Sequence, residues 1–72
     1  MSNLQILGDI IRTEREQRGL SQEALAELAG LSRTHIGEIE RGEVKVSFVA
    51  LEATAHGLGL PLSELMKKYE QR

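Results

Sequence analysis

Cysteine is absent from the 72-residue sequence, which excludes disulfide bonds, a thiolate nucleophile and a cysteine-based zinc site. Two isolated histidines, His35 and His56, do not make a metal site. No apolar run approaches the roughly 18 residues that span a membrane. The first residues, Met1 to Gln5, lack the basic and apolar segments of a signal peptide. We therefore expect a soluble, cytoplasmic domain with no metal, other cofactor or membrane partner.

Positive charge is also scarce. Nine lysines and arginines stand against eleven acidic residues, which gives a net charge of −2 and a pI near 5.6. This balance excludes a polybasic tail or a coat of positive charge. It also counts against nucleic-acid binding, which usually goes with a domain pI above about 9. The acidic excess lies within 21–31 and 46–66, however, whereas the segment 32–45 is neutral.

The size of the chain limits its organisation. Seventy-two residues of which 40% are hydrophobic predict one domain, 1–72, with one small core. A core in a chain of this size rarely supplies more than about 3–5 kcal/mol of stability. Dimerisation is therefore a natural supplement.

The spacing of apolar residues, together with cap residues, divides the chain into five predicted helices and no strand. Their approximate ranges are 3–18, 22–29, 33–40, 48–57 and 61–70. Serines suited to the N-cap position precede the three middle helices: Ser21, Ser32 and Ser47. Pro61 fits the first helical position of the last helix. Leu28 and Val49 are among the residues that we expect to face the core.

The second and third helices are short and are joined by Gly30-Leu31-Ser32. Such an arrangement predicts a helix-turn-helix unit over about 21–41. Free backbone N–H groups at Ser21 and Gln22 can receive a phosphate at the start of the second helix. The third helix opens with side chains that can hydrogen-bond: Arg33, Thr34 and His35. A short helix with such a polar leading end suits the major groove, which is about 12 Å wide.

The stretch GLSQEALAELAGLSRTHIGEIERG, from Gly19 to Gly42, resembles the helix-turn-helix of the lambda-repressor/Xre-type DNA-binding family. The resemblance extends from about Leu7 to Leu65 and is strongest to the stand-alone controller proteins of restriction–modification systems. It implies a compact, all-α, five-helix fold with the third helix in the major groove. It also implies a two-fold dimer on a near-palindromic operator.

The resemblance assigns roles to individual residues. Arg33, Thr34 and Glu38 match its base-reading positions, and we add His35 because its ring can hydrogen-bond at the same end of the helix. The phosphate-contacting candidates are Ser21, Gln22, Arg41 and Lys45. Arg15 and Glu40 match an ion pair that ties the first helix to the end of the third.

Several of these residues have a second interpretation. Arg33 is also explained as a solvated side chain, and Thr34 as an ordinary first-turn residue. Glu38 is also explained as the partner of Arg41 in an intrahelical pair at i, i+3. Gly37 either lets DNA approach closely or is merely tolerated in the helix.

The last helix carries an apolar stripe at i, i+3, i+4 and i+7, formed by Leu62, Leu65, Met66 and Tyr69. The stripe packs on its own core, or it also continues across a dimer two-fold together with Phe48. We predict the second arrangement, with an interface that is the same on both subunits.

These features predict a sequence-specific DNA-binding transcriptional regulator that acts as a homodimer on double-stranded DNA, with RNA polymerase as a further candidate partner. The alternative is an antitoxin-type module that neutralises a partner toxin and regulates its own operon. No enzyme is expected, because no nucleophile–base arrangement, metal set or phosphate loop is present. The low positive charge predicts few phosphate contacts per subunit and reliance on base readout.

Overall fold

Five α-helices and no strands make up the structure, a computed structural model that describes residues 1–72. The helices are α1 (Asn3–Gln17), α2 (Gln22–Ala29), α3 (Arg33–Glu40), α4 (Phe48–Gly57) and α5 (Leu62–Glu70). All five predicted helices are present. Helix α5 begins one residue later than predicted, because Pro61 is its N-cap with an extended ψ of 147° and is not its first helical residue. None of the helices combines the length and apolar character needed to cross a membrane.

Serine side chains cap the N-termini of four of the helices. The hydroxyls of Ser21, Ser32 and Ser47 each accept a hydrogen bond of 3.0 Å from the backbone N–H three residues later. Ser2 forms a reciprocal capping box with Gln5 at the start of α1. Each such cap contributes about 1 kcal/mol and fixes where its helix starts.

One apolar core joins the helices. Its largest fully buried apolar side chains come from four different helices: Ile11, Leu25, Ile36 and Leu65. Helix α2 packs against α3 and α4, while α1 packs against α3 and α5. The second and third helices are therefore held between α1 on one side and α4 on the other.

Two residues expected in the core are at the surface instead. Val49 is 72% exposed and Leu28 is 54% exposed. Helix α4 is apolar around most of its circumference, so periodicity does not identify its buried side. The buried side carries Ala50, Thr54 and Ala55, which turns Val49 outward.

Helices α1 and α3 meet through their backbones at Gly8. A Cβ atom at this position would lie 2.4 Å from the carbonyl oxygens of both Ile39 and Glu40. Only a residue without a side chain permits this approach. Gly8 therefore sets the distance between α1 and the C-terminal end of α3.

Candidate nucleic-acid interface

The turn between α2 and α3 is built around Gly30, which adopts the left-handed conformation with φ of 69°. The N–H of Leu31 donates to the carbonyl of Ala26 at 2.9 Å, which closes the end of α2 before Ser32 starts α3. Ile36 and Ile39 are buried on the inner side of α3. The opposite side and the N-terminal end of α3 are left for contacts with a ligand.

The four candidate base-reading residues lie on this accessible part of α3. Arg33 and Thr34 are exposed at its start. The side chains of His35 and Glu38 are 34% and 38% exposed, and His35 Nδ1 lies 3.7 Å from Glu38 Oε1. The structure thus leaves all four accessible and brings His35 and Glu38 together.

Arg33 is paired with a residue of the preceding helix. Its Nε donates to Glu23 Oε1 at 3.2 Å, and both side chains are more than half exposed. The Arg33 charge alone is unfavourable at the positive N-terminal end of α3. Glu23, in the first turn of α2, offsets that charge.

The expected pair between Glu38 and Arg41 is wrong. Helix α3 ends at Glu40, so Arg41 is its C-cap residue, and its Nε lies 3.0 Å from Glu43 Oε1 in the following loop. The Arg41 guanidinium also covers Gly37, because a Cβ atom there would lie 3.0 Å from Arg41 Nη1. In the free protein, the Arg41 side chain therefore occupies the surface next to Gly37. One of the two interpretations of Gly37 expects DNA to approach closely at this surface.

Arg15 and Glu40 form the predicted ion pair in a bidentate geometry. Arg15 Nε donates to Glu40 Oε2 at 2.7 Å, and Arg15 Nη2 donates to Glu40 Oε1 at 3.0 Å. These hydrogen bonds raise the pKa of Arg15 above its ordinary value, against the opposing effect of burial. The remaining nitrogen, Nη1, donates to the carbonyl of Leu20 at 2.8 Å. One guanidinium thus connects α1, the end of α3 and the turn that precedes α2.

Gln22 joins the same cluster. Its Nε2 donates to Glu40 Oε1 at 3.0 Å. A carboxylate only accepts hydrogen bonds, so this contact fixes which end of the amide faces Glu40. One amide hydrogen remains for the phosphate contact that was assigned to Gln22. The sequence did not indicate the Gln22–Glu40 contact, because 18 positions separate the two residues.

The other candidate phosphate contacts are accessible. Ser21 is exposed at the start of α2, although its hydroxyl already accepts from Ala24 N–H. Lys45 is exposed in the loop between α3 and α4 and forms no ion pair. Arg41, by contrast, is already paired with a carboxylate.

The apolar residues assigned to a dimer interface divide into three groups by their burial. Leu65 is fully buried in the core of its own chain, so its assignment to an interface is wrong. Leu62, Met66 and Tyr69 are half-buried and pack against the core. Phe48 is 65% exposed and stands next to Val49 on α4. An open groove beside them is lined by Ala29, Val49, Glu52, Ala53 and His56.

Comparison with known proteins supports a single family. A model described as a helix-turn-helix domain matches residues 6–66. The control protein C.SmaI of Serratia marcescens is 39% identical over 64 residues, which cover 89% of this chain and 76% of that protein. The control protein C.MunI of a Mycoplasma species is 42% identical over 60 residues, which cover 83% of this chain and 81% of that protein.

A solved structure gives the same result. The restriction-modification controller protein C.AhdI from Aeromonas hydrophila superimposes with a TM-score of 0.86 at 40% identity. The match covers 90% of this chain and 98% of that one. The predicted all-α, lambda-repressor-like fold, with its helix-turn-helix at α2 and α3, is confirmed.

Proposed function

The chain belongs to the helix-turn-helix domain family, and from this premise we propose that it is a sequence-specific DNA-binding transcriptional regulator of a restriction–modification system. It acts in the cytoplasm as a homodimer on a near-palindromic operator. The similarity to the control proteins C.SmaI and C.MunI supports the type of regulator. The single observation that carries the proposal is the outward, polar N-terminal end of α3, held from behind by α1 and α2.

The bases are read from α3 in the major groove. Arg33 at the leading end suits guanine, whose O6 and N7 accept two parallel N–H bonds. Glu38, one turn further along, suits the amino group of cytosine, and Thr34 suits a thymine methyl group or a phosphate. His35 adds a ring that hydrogen-bonds beside them.

The phosphates are contacted from the flanks of the helix-turn-helix. The N-terminal end of α2 supplies backbone N–H groups near Ser21 and Gln22, where the helix dipole favours an anion. Lys45 supplies a free charge from the loop after α3, and Arg41 supplies a second one once Glu43 releases it. These contacts set the register of the protein on the duplex and carry no base preference.

The dimer forms around the start of α4. Phe48 and Val49 are large apolar side chains that the single chain leaves in water. Burying a side chain of this kind contributes about 1.5–3 kcal/mol. A two-fold dimer holds the two copies of α3 about 34 Å apart, one helical turn of DNA.

Footprinting on the DNA just upstream of the protein's own gene tests the proposal, followed by binding measurements with variants. Arg33→Ala is expected to cost about 1–3 kcal/mol on the protected site and to relax specificity at one base pair. Lys45→Ala is expected to weaken binding to all sequences and to flatten its salt dependence. Lys67→Ala removes the same charge from an exposed position on α5 and serves as the control. The proposal fails if wild-type protein shows no preference for the upstream DNA over random duplex.

A further inference from the structure

The ion pair between Glu23 and Arg33 uses only one edge of the guanidinium. Arg33 donates to Glu23 through Nε, and neither of its Nη atoms makes a hydrogen bond within the protein. The two Nη groups form the end of the guanidinium that engages guanine O6 and N7 in parallel. Glu23 therefore holds the side of the arginine that end-on base recognition does not need.

The position of Glu23 on a neighbouring helix also favours this arrangement of the Arg33 guanidinium. Glu23 lies in the first turn of α2 and Arg33 at the first position of α3, so the contact crosses the helix-turn-helix itself. The two helices are fixed relative to each other by the packing of Leu25 and Ile36 in the core. The Glu23 carboxylate thus reaches Arg33 from a rigid element, whereas an unpaired arginine would sample many rotamers.

The charge of Glu23 has a second effect. A lone arginine at the DNA surface attracts any phosphate, whatever the sequence. A carboxylate beside the guanidinium reduces that attraction and leaves the Nη edge free. The pair thereby opposes non-specific binding more than it opposes base recognition.

We propose that Glu23 is a specificity-determining residue that positions Arg33 for end-on contact with a base and weakens its contact with phosphates. The inference rests on the proposed function, since it concerns how the same surface discriminates between DNA sequences. Glu23 acts through Arg33 and needs no contact with a base.

The test measures affinity for two probes of equal length: the duplex that footprinting protects upstream of the gene, and a random-sequence duplex. Glu23→Gln removes the charge but keeps an oxygen that accepts from Arg33 Nε. It is expected to raise affinity for the random duplex by up to about fivefold, the upper end for an exposed ion pair, and affinity for the protected duplex by less. Glu23→Ala also removes the acceptor, so it is expected to lower affinity for the protected duplex as well. In both variants the ratio of the two affinities falls.

Two controls separate this role from a general effect of charge. Glu27→Gln makes the same charge change one turn along α2, at an exposed residue that forms no ion pair. It is expected to leave the ratio unchanged. The second control repeats both Glu23 substitutions in an Arg33→Ala background, where the ratio is expected to change no further. Thermal melts of every variant verify that α2 remains folded.

The proposal is overturned if the ratio is unchanged in Glu23→Ala, or if it falls as far in the Arg33→Ala background. It is also overturned if Glu27→Gln has the same effect as Glu23→Gln. In all of these cases wild-type protein still prefers the protected duplex, and the proposed function stands. Wild-type protein without such a preference overturns both.

Discussion

Gly8 and Gly37 both lie inside helices, yet a methyl group would meet very different surroundings at the two positions. At Gly8 it would meet backbone carbonyl oxygens at 2.4 Å, which cannot move without separating α1 from α3. At Gly37 it would meet the end of the flexible Arg41 side chain at 3.0 Å. The same substitution therefore tests two kinds of packing.

We expect Gly8→Ala to destabilise the protein by about 1–3 kcal/mol, the usual cost of overpacking, despite the better helix propensity of alanine. Gly37→Ala is the matched control, and its expected effect lies between zero and a gain of about 1 kcal/mol. Urea denaturation followed by circular dichroism measures both. Equal stabilities for the two variants would contradict the backbone contact at Gly8.

The site residues differ in how far the sequence predicts them. Arg33 and Thr34 follow a serine cap, so their place at an accessible helix start can be read from local pattern alone. The contacts of Glu38 and Arg41 cannot be read from a local pattern, because they depend on where α3 ends. Arg41 is the C-cap residue of α3, and its guanidinium pairs with Glu43 of the following loop instead of Glu38.

At the scale of the elements, the pair between Arg15 and Glu40 is the strongest polar connection of α3 to α1. The Glu40 side chain is only 3% exposed. Removing Arg15 would leave that carboxylate without its charged partner, which typically costs about 3–5 kcal/mol. The cost is comparable with the whole stability of about 3–5 kcal/mol expected of so small a core.

We therefore expect Arg15→Met to be largely unfolded at 25 °C, whereas Arg15→Met combined with Glu40→Met recovers much of the lost stability because no buried charge remains. Urea denaturation at several temperatures compares the two proteins. A double variant no more stable than the single one would show that packing of Arg15, and not the unpaired carboxylate, is responsible.

The elements themselves were largely predictable, for a physical reason. Each cap serine acts on backbone groups within three residues, so a local pattern is sufficient to place the start of a helix. Local patterns predict less completely which residues of each helix are buried. The stripe of α5 correctly indicated a packed face, but it did not reveal that Leu65 is fully buried while Met66 is only half-buried. The prediction that Val49 faces the core is wrong because α4 has apolar residues on several sides, and only tertiary packing selects the side that is buried.

At the scale of the whole molecule, the exposed apolar pair on α4 predicts the oligomeric state. We expect Phe48→Ser combined with Val49→Ser to dissociate the proposed dimer at micromolar concentration, while the monomer stays folded because neither side chain belongs to the core. Sedimentation velocity measures the change. Leu28→Ser, at an exposed leucine outside the α4 groove, is the control. A dimer unaffected by the α4 substitutions would place the interface elsewhere.

A second prediction concerns the link between α1 and Arg72. A hydrogen bond from Arg72, assisted by the charges of Arg12 and Arg72, lowers the pKa of Asp9 below its ordinary value. A lowered pKa in the folded state means that the ionised carboxylate stabilises the fold. This contribution is present above the unfolded-state pKa, about 3.9, and is lost as the pH falls through the lower folded-state value.

Asp9→Asn is therefore expected to melt slightly below wild type at neutral pH, and the difference is expected to vanish in strong acid. Thermal melts from neutral pH down to the most acidic pH at which the protein still folds measure it, with Glu27→Gln, at an exposed residue that forms no ion pair, as the control. Because the pair is exposed to solvent, added salt is expected to reduce the difference. A difference that persists in strong acid would assign the effect of Asp9→Asn to something other than its charge.

The division of α3 into two sides has a consequence for how such regulators diverge. The residues that hold the helix in place, Ile36, Ile39 and Glu40, face the rest of the protein, while Arg33 and Thr34 face outward and support nothing in the core. On the proposed function, folding and operator choice therefore depend on separate sets of residues. We therefore expect relatives to acquire new target sequences through changes on the outer side alone. Grafting another regulator's outward residues onto this chain is expected to change its preferred DNA without loss of thermal stability.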